Sequence, residues 1–387
     1  MRRASAVRAA AAILVGVGTP CAAIATPAVI PTPPPAVAHA DPAPANLAYD
    51  NMSPRQRVGQ LFMVGVPSTG PSTAELAHLR RLKVGSVILN GNSSAGQARV
   101  ALTTARIDGG MQQARVAPFV ATDQEGGAVQ RLRGPGFSSI PSALRQGRWS
   151  TTKLRHRAAL WARQLAEAGV SINLAPVADT VPAGHAHANQ PIGRYDREYG
   201  HSARRVGSHV VAVVRGEGPH LAVTIKHFPG LGRATGNTDL AKRVTDPTTR
   251  HDSYLTAFRR GVEAGTPFVM VSLARYPHID GNRPACFSRT VMKTMLRGAL
   301  GFDGVVISDS FHAVAVRGVP ARKAAVRFFR AGGTMLLDTD IAPIREMEDA
   351  VLARVKAHPA FARAIRADVI TVLEAKSAAG LLANVLL

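Results

Sequence analysis

Three strings in the sequence set ionisable groups directly after apolar runs. Gly304-Val305-Val306-Ile307-Ser308 leads into Asp309, Ala121-Thr122 leads into Asp123, and Thr224-Ile225 leads into the pair Lys226-His227. An ionised carboxylate at such a place can attack an electrophilic carbon, or stabilise a cationic transition state and then hold the covalent intermediate. Asp123 is followed by Gln124-Glu125-Gly126-Gly127, where paired glycines permit close backbone approach, and by Arg131 and Arg133 on the same loop. Its carboxylate can accept two hydroxyl hydrogen bonds, and Lys226 and His227 can donate to ligand oxygens. Each residue also has a plainer reading. Asp309 alone could cap the next helix, Arg133 reads best as a solvated surface group, and a lone histidine is usually a satisfied core or loop side chain. Adjacency at one strand end moves Lys226 and His227 toward function.

These groups need a scaffold that gathers strand ends. Short apolar, β-branched runs occur at Leu61–Val66, Val84–Leu89, Pro118–Thr122, Val170–Ala175, Ala222–Lys226, Phe268–Leu273, Gly304–Ser308 and Thr334–Leu337. Between them lie segments with helical apolar spacing, such as Thr73–Leu82, Lys153–Ala168, Ser202–Glu217, Asp252–Ala264 and Thr290–Leu300. Eight alternating units predict an α/β fold, a single (β/α)8 TIM-type barrel over residues 51–387, in preference to an open doubly wound sheet. In such a barrel the chemistry sits at the carboxyl ends of the strands, where all three strings fall. Long loops after strands three, four and five are the segments expected to cover a site.

The first 40 residues read as a secretory signal peptide, with Arg2, Arg3 and Arg8, the apolar stretch Ala9–Val17, and the small-x-small cleavage pattern Ala38-His39-Ala40. Cys21 is preceded by Gly18-Thr19-Pro20, a poor lipidation context, so cleavage before Asp41 is expected. Residues 41–50 are then a Pro/Ala-rich, disordered leader. No later run is long enough for a membrane span. With Cys21 removed, Cys286 has no partner for an intrachain disulfide. The formal charge is +22, spread without a basic block. The absence of an aromatic-basic recognition motif argues against nucleic acid. For an exported chain, an acidic cell-wall polymer is the more natural polyanion.

Taken together, Lys226-His227-Phe228-Pro229-Gly230 with Gly232, Asp123-Gln124-Glu125-Gly126-Gly127-Ala128-Val129-Gln130-Arg131-Leu132, and Leu300-Gly301-Phe302-Asp303-Gly304-Val305-Val306-Ile307-Ser308-Asp309 resemble family 3 glycoside hydrolases, in their bacterial β-N-acetylhexosaminidase branch. Asn173-Leu174-Ala175-Pro176-Val177-Ala178-Asp179 and Pro191-Ile192-Gly193 with Asp196-Arg197-Glu198-Tyr199-Gly200 extend the likeness over about residues 50 to 340. The resemblance implies a retaining exo-enzyme without cofactor; no metal site and a monomer are expected. It would remove N-acetylglucosamine from cell-wall fragments, with Asp309 as nucleophile and Asp123, Arg131, Arg197, Lys226 and His227 holding the sugar. Two extra residues precede Arg197 relative to the short form of the motif. The larger departure is at the general acid. Where the branch carries Asp-Ser-His, this chain reads Asn237-Thr238-Asp239, and Leu231 replaces a usual histidine. Asp239 is the first candidate for acid/base if a closed loop raises its pKa; His185, His187 and Asp246 follow. A sugar-binding protein without turnover, and a β-glucosidase or phosphorolytic enzyme of the same family, are the competing readings.

Overall fold

The computed structural model describes residues 42–382; the expected signal peptide, Cys21 and the cleavage point before Asp41 lie outside them. Eight parallel strands form the centre: β1 Phe62–Pro67, β2 Ser86–Asn90, β3 Phe119–Thr122, β4 Ile172–Asn173, β5 Ala222–Phe228, β6 Phe268–Val271, β7 Val305–Ser308 and β8 Leu336–Asp338. Each pairs with its neighbours in chain order, and β8 pairs with β1. Between β7 and β8 the circle closes through a parallel bridge from Ile307 to Met335, with Ser308 N donating to Met335 O at 3.0 Å. The runs are β-branched because both faces are covered: Val64, Val223, Ile225, Val269, Val306 and Ile307 are fully buried. The interior is filled. Phe119 on β3 and Phe268 on β6 are not on adjacent strands, yet their rings meet edge to face at 5.6 Å across the barrel.

All eight expected strands are present, with shifted ends. The fourth shrinks to Ile172–Asn173, although backbone bonds to β5 continue beyond it, with Ala175 O and Pro176 O accepting from Thr224 N and Lys226 N. The fifth runs on to Phe228, so Lys226 and His227 belong to the strand itself. A two-stranded hairpin, Gln124–Gly126 with Val129–Gln130, follows β3 and was not expected. Its glycines serve packing rather than ligand approach. Gly126 has φ +103°, and a Cβ there would lie 2.3 Å from Pro141 O. Arg133 braces the same turn, donating to Gln130 O and Gly127 O.

Helices wrap the outside. Thr73–Leu82 begins with a capping box in which Ser72 and Glu75 each accept the other's backbone N–H. The long helices 151–167 and 203–217 pack against one another, and 321–331 packs against 344–357. The expectation of a disordered leader is corrected at Pro42–Asp50, which is a helix with Ala45 and Ala48 buried against the last helix, Pro359–Ala378. Prolines confined to its first turn cost the helix nothing, since those N–H groups have no intrahelical acceptor, and Tyr49 is sandwiched between Arg57 and Arg366. No helix of the described residues is long and apolar enough to cross a membrane.

Candidate active site

A cleft of about 330 Å³ opens at the carboxyl ends of the strands, and seven of the residues singled out from the sequence line it: Asp123, Arg131, Arg197, Lys226, His227, Asp239 and Asp309. Its base is an ion cluster. Lys226, almost fully buried, points Nζ at Asp123 Oδ1 and Glu125 Oε1, both at 2.6 Å. Arg197 clamps Glu125 through Nε to Oε2 at 2.8 Å and Nη2 to Oε1 at 2.7 Å, while Nη1 donates to Pro191 O. This fork-on-fork pairing fixes both planes. Burial alone would raise the Glu125 carboxyl, but Arg197 and Lys226 outweigh it and hold it far below the carboxylate range. Burial likewise opposes the charge on Lys226, and Asp123 and Glu125 overcome it, raising the ammonium pKa. Glu125, Lys226 and Arg197 are therefore held in their charged forms. Asp123 Oδ2 and one Lys226 proton remain available for ligand hydroxyls.

His227 is set by a group far away in sequence. Asp179, completely buried, brings Oδ2 to 2.7 Å from His227 Nδ1, while its Oδ1 accepts from Leu231 N at 2.7 Å and His227 N at 3.3 Å. A carboxylate only accepts, so Nδ1 carries the hydrogen and Nε2 is the free ring nitrogen. The loop after β3 has a similar brace: Asn173 Oδ1 accepts from Gln124 N at 3.1 Å, and Asn173 Nδ2 donates to buried Glu217 at 3.0 Å. Burial pushes the Glu217 carboxyl up to about 8.

Asp309 stands at the end of β7. Its N–H donates to Val271 O on β6 at 3.0 Å, and its Oδ1 accepts from Ser310 N at 2.8 Å. Asp239 comes from the loop after β5. There Asn237 Oδ1 accepts from Asp239 N at 2.9 Å, Ala315 N donates to Thr238 O at 3.0 Å, and Thr245 bridges to Arg275. Asp239 is exposed and stands at the rim of the cleft. Desolvation, then the negative charge of Asp309, push its carboxyl above the ordinary aspartate value against the opposing charges of His227 and Arg197. Among the described residues Asp239 makes no ion pair with its neighbours Lys242 and Arg243, and Arg243 donates to Asn282. Nor do the other acid candidates reach the cleft. His185 and His187 are exposed outside it. Asp246 turns into the protein, accepting from Arg233 N and from Thr248 N and Oγ1. The loop's glycines are less permissive than their number suggests: only Gly230 has positive φ, and Gly232 is required because a Cβ would collide with Thr180 O.

Glu125, Asp179, Asn173, His312 and Arg317 belong to the site or its supports without having been assigned a part in it from the sequence. Glu125, Asn173 and Asp179 stand inside the motif strings, which was the available signal. His312 and Arg317 have none, because they reach the cleft only through the turn after β7. The buried cluster makes a direct prediction. Glu125→Gln leaves Lys226 and Arg197 facing an amide, and breaking a buried pair costs about 3–5 kcal/mol. Denaturant unfolding is expected to show a loss of that size together with a raised KM; a variant as stable as wild type would remove Glu125 from the foundation of the site.

A closed parallel barrel with two carboxyl groups at its carboxyl-end mouth, beside donors suited to hydroxyls, is an arrangement that glycoside hydrolases use. The chain belongs to glycosyl hydrolase family 3: the model of the family's N-terminal domain matches residues 54–372. A beta-hexosaminidase of Xylella fastidiosa (strain M23) is 32% identical over 270 residues, 67% of this chain and 77% of that protein. The crystal structure of a beta-N-acetylhexosaminidase from Beutenbergia cavernae DSM 12333 superposes with a TM-score of 0.82 at 42% identity, covering 84% of this chain and 99% of that one. A family 3 beta-N-acetylglucosaminidase from Paenibacillus sp. str. FPU-7 has a TM-score of 0.77 at 27% identity, covering 85% and 63%.

Proposed function

We propose that the protein is an exported, retaining exo-β-N-acetylglucosaminidase that removes terminal N-acetylglucosamine from peptidoglycan fragments through a covalent glycosyl-enzyme. The observation that carries this is the meeting of Asp309 and Asp239 in one cleft, the second raised in pKa partly by the first. A carboxyl raised in this way is suited to serve as the proton donor beside a carboxylate nucleophile. Asp123, Lys226, His227, Arg131 and Arg197 hold the sugar. Asp309 attacks the anomeric carbon as the glycosidic bond breaks, and Asp239 gives its proton to the departing oxygen. Asp239, now ionised, takes a proton from water, which attacks the same carbon and releases Asp309. The names of the relatives supply the N-acetylated sugar.

The test compares aryl β-N-acetylglucosaminide with aryl β-glucoside, with and without phosphate. Turnover of the first alone, independent of phosphate, is expected; preference for the glucoside or for phosphate overturns the reading. Export rests on the basic, apolar and small-x-small pattern of residues 1–40. Mass spectrometry of protein from its native host is expected to find Asp41 at the N-terminus, whereas an acylated Cys21 would show membrane anchorage.

A further inference from the structure

Next to the sugar cleft lies a second, larger hollow of about 550 Å³, into which five arginines converge from separate parts of the chain: Arg275, Arg283, Arg289, Arg327 and Arg330. They are poorly neutralised. Arg283 reaches Asp280 at 3.3 Å, but that carboxylate also accepts from Ser288 Oγ. Arg275 donates to Asn282 O, and Arg289 to Arg330 O at 3.4 Å. The side chains of Arg327 and Arg330, both exposed, make no hydrogen bond or ion pair among the described residues. Gathering like charges in one hollow works against the compact state unless an anion offsets it. The guanidinium fork fits planar oxyanions in a way an ammonium does not.

The position of the hollow says which part of a substrate would meet it. Ala315 and Val319 form one of its walls, while His312, Ala313 and Arg317 of the same short segment line the sugar cleft. The loop that carries Asp239 is bonded to this wall twice, through Thr238 O to Ala315 N and through the Thr245–Arg275 bridge. Asp239 faces the leaving oxygen in the proposed reaction, so the hollow adjoins the leaving-group side.

We propose that this arginine hollow is a subsite for an aglycone bearing several carboxylates, and that it selects acidic glycan fragments over neutral ones. The proposal rests on the glycosidase reading above and extends it to the leaving group. A fragment whose leaving sugar carries an acidic peptide would place its sugar ring against Asp239 and its carboxylates among the arginines.

The test uses the full mature protein and the double variant Arg327→Glu/Arg330→Glu, which touches neither the cleft nor the ion cluster. Two substrates share a terminal N-acetylglucosamine, one with a neutral N-acetylglucosamine leaving sugar and one with a leaving sugar carrying an acidic tetrapeptide. For the acidic substrate, KM is expected to rise about tenfold or more, the equivalent of one charge-assisted contact, and the wild-type preference to fade at high salt. For the neutral substrate, kcat/KM should stay within about twofold. Equal effects on both, or none, overturn the subsite. A phosphate-bearing analogue forms a third arm, and sensitivity confined to it would overturn the carboxylate assignment. Calorimetric binding of the acidic tetrapeptide alone reads the hollow without turnover. Its loss in the double variant supports the subsite even if the neutral substrate is not cleaved, and absence of binding by wild type counts against it.

Discussion

Asp309→Asn is expected to lower turnover by a factor of about a thousand or more, which corresponds to at least about 4 kcal/mol of lost transition-state stabilisation, while leaving the protein folded. The amide keeps an oxygen able to accept from Ser310 N, and the backbone bond from Asp309 N to Val271 O is untouched. What disappears is the charge that, in the proposed reaction, attacks the anomeric carbon. Loss on activated and unactivated substrates alike is expected, because the amide fails in the step that both share. A second consequence concerns Asp239. Since the charge of Asp309 contributes to its raised pKa, neutralising residue 309 should let the Asp239 carboxyl fall back toward the ordinary aspartate value, a shift that carboxyl NMR titration reads directly. Near-normal turnover in this variant would sink the nucleophile assignment; an unmoved Asp239 titration would remove the coupling between the two groups.

The parts of this molecule that a sequence displays are those whose cause is local. Strand runs such as Val305-Val306-Ile307 are visible because burial on both faces demands β-branched residues without alternation. Asp309, Asp123, Lys226 and His227 are visible because a polar group immediately after such a run must lie at a barrel mouth. The helix Pro42–Asp50 was hidden because its composition matches that of a disordered leader, and only the tertiary surface of the last helix gives Ala45 and Ala48 something to bury against. The supports were hidden for the same reason at longer range. Asp179 acts on His227 from 48 positions away, and Glu217 reaches the β3 loop only through Asn173. The arginine hollow is the extreme case. Its five members are scattered from position 275 to 330 and read in sequence as charge without a block, until the segment after β6, which carries Arg275, Arg283 and Arg289, meets the helix 321–331, which carries Arg327 and Arg330.

Asp239→Asn should separate the two chemical steps. On a substrate with a poor leaving group, the glycosidic oxygen must be protonated as it departs, so an amide at 239 should cut the rate by about 10²–10⁴. An activated aryl glycoside leaves as a stable anion and needs no proton, so its first step should be nearly unaffected and the glycosyl-enzyme should accumulate, because the same residue serves as base in the second step. The pH profile supplies an independent reading. A carboxyl raised by desolvation and by Asp309 stays protonated, and competent as an acid, beyond the pH at which an ordinary aspartate ionises; activity on poor leaving groups should therefore fall on the alkaline side as it ionises. In Asp239→Asn that alkaline limb should vanish, since an amide has no proton to lose. His185→Ala and His187→Ala, both outside the cleft, should leave the rates and the limb in place. Equal small losses on both substrate types for Asp239→Asn, with the limb retained, would return Asp239 to an ordinary loop aspartate. The next group to test would then be His227, whose Nε2 is the free ring nitrogen in the same cleft.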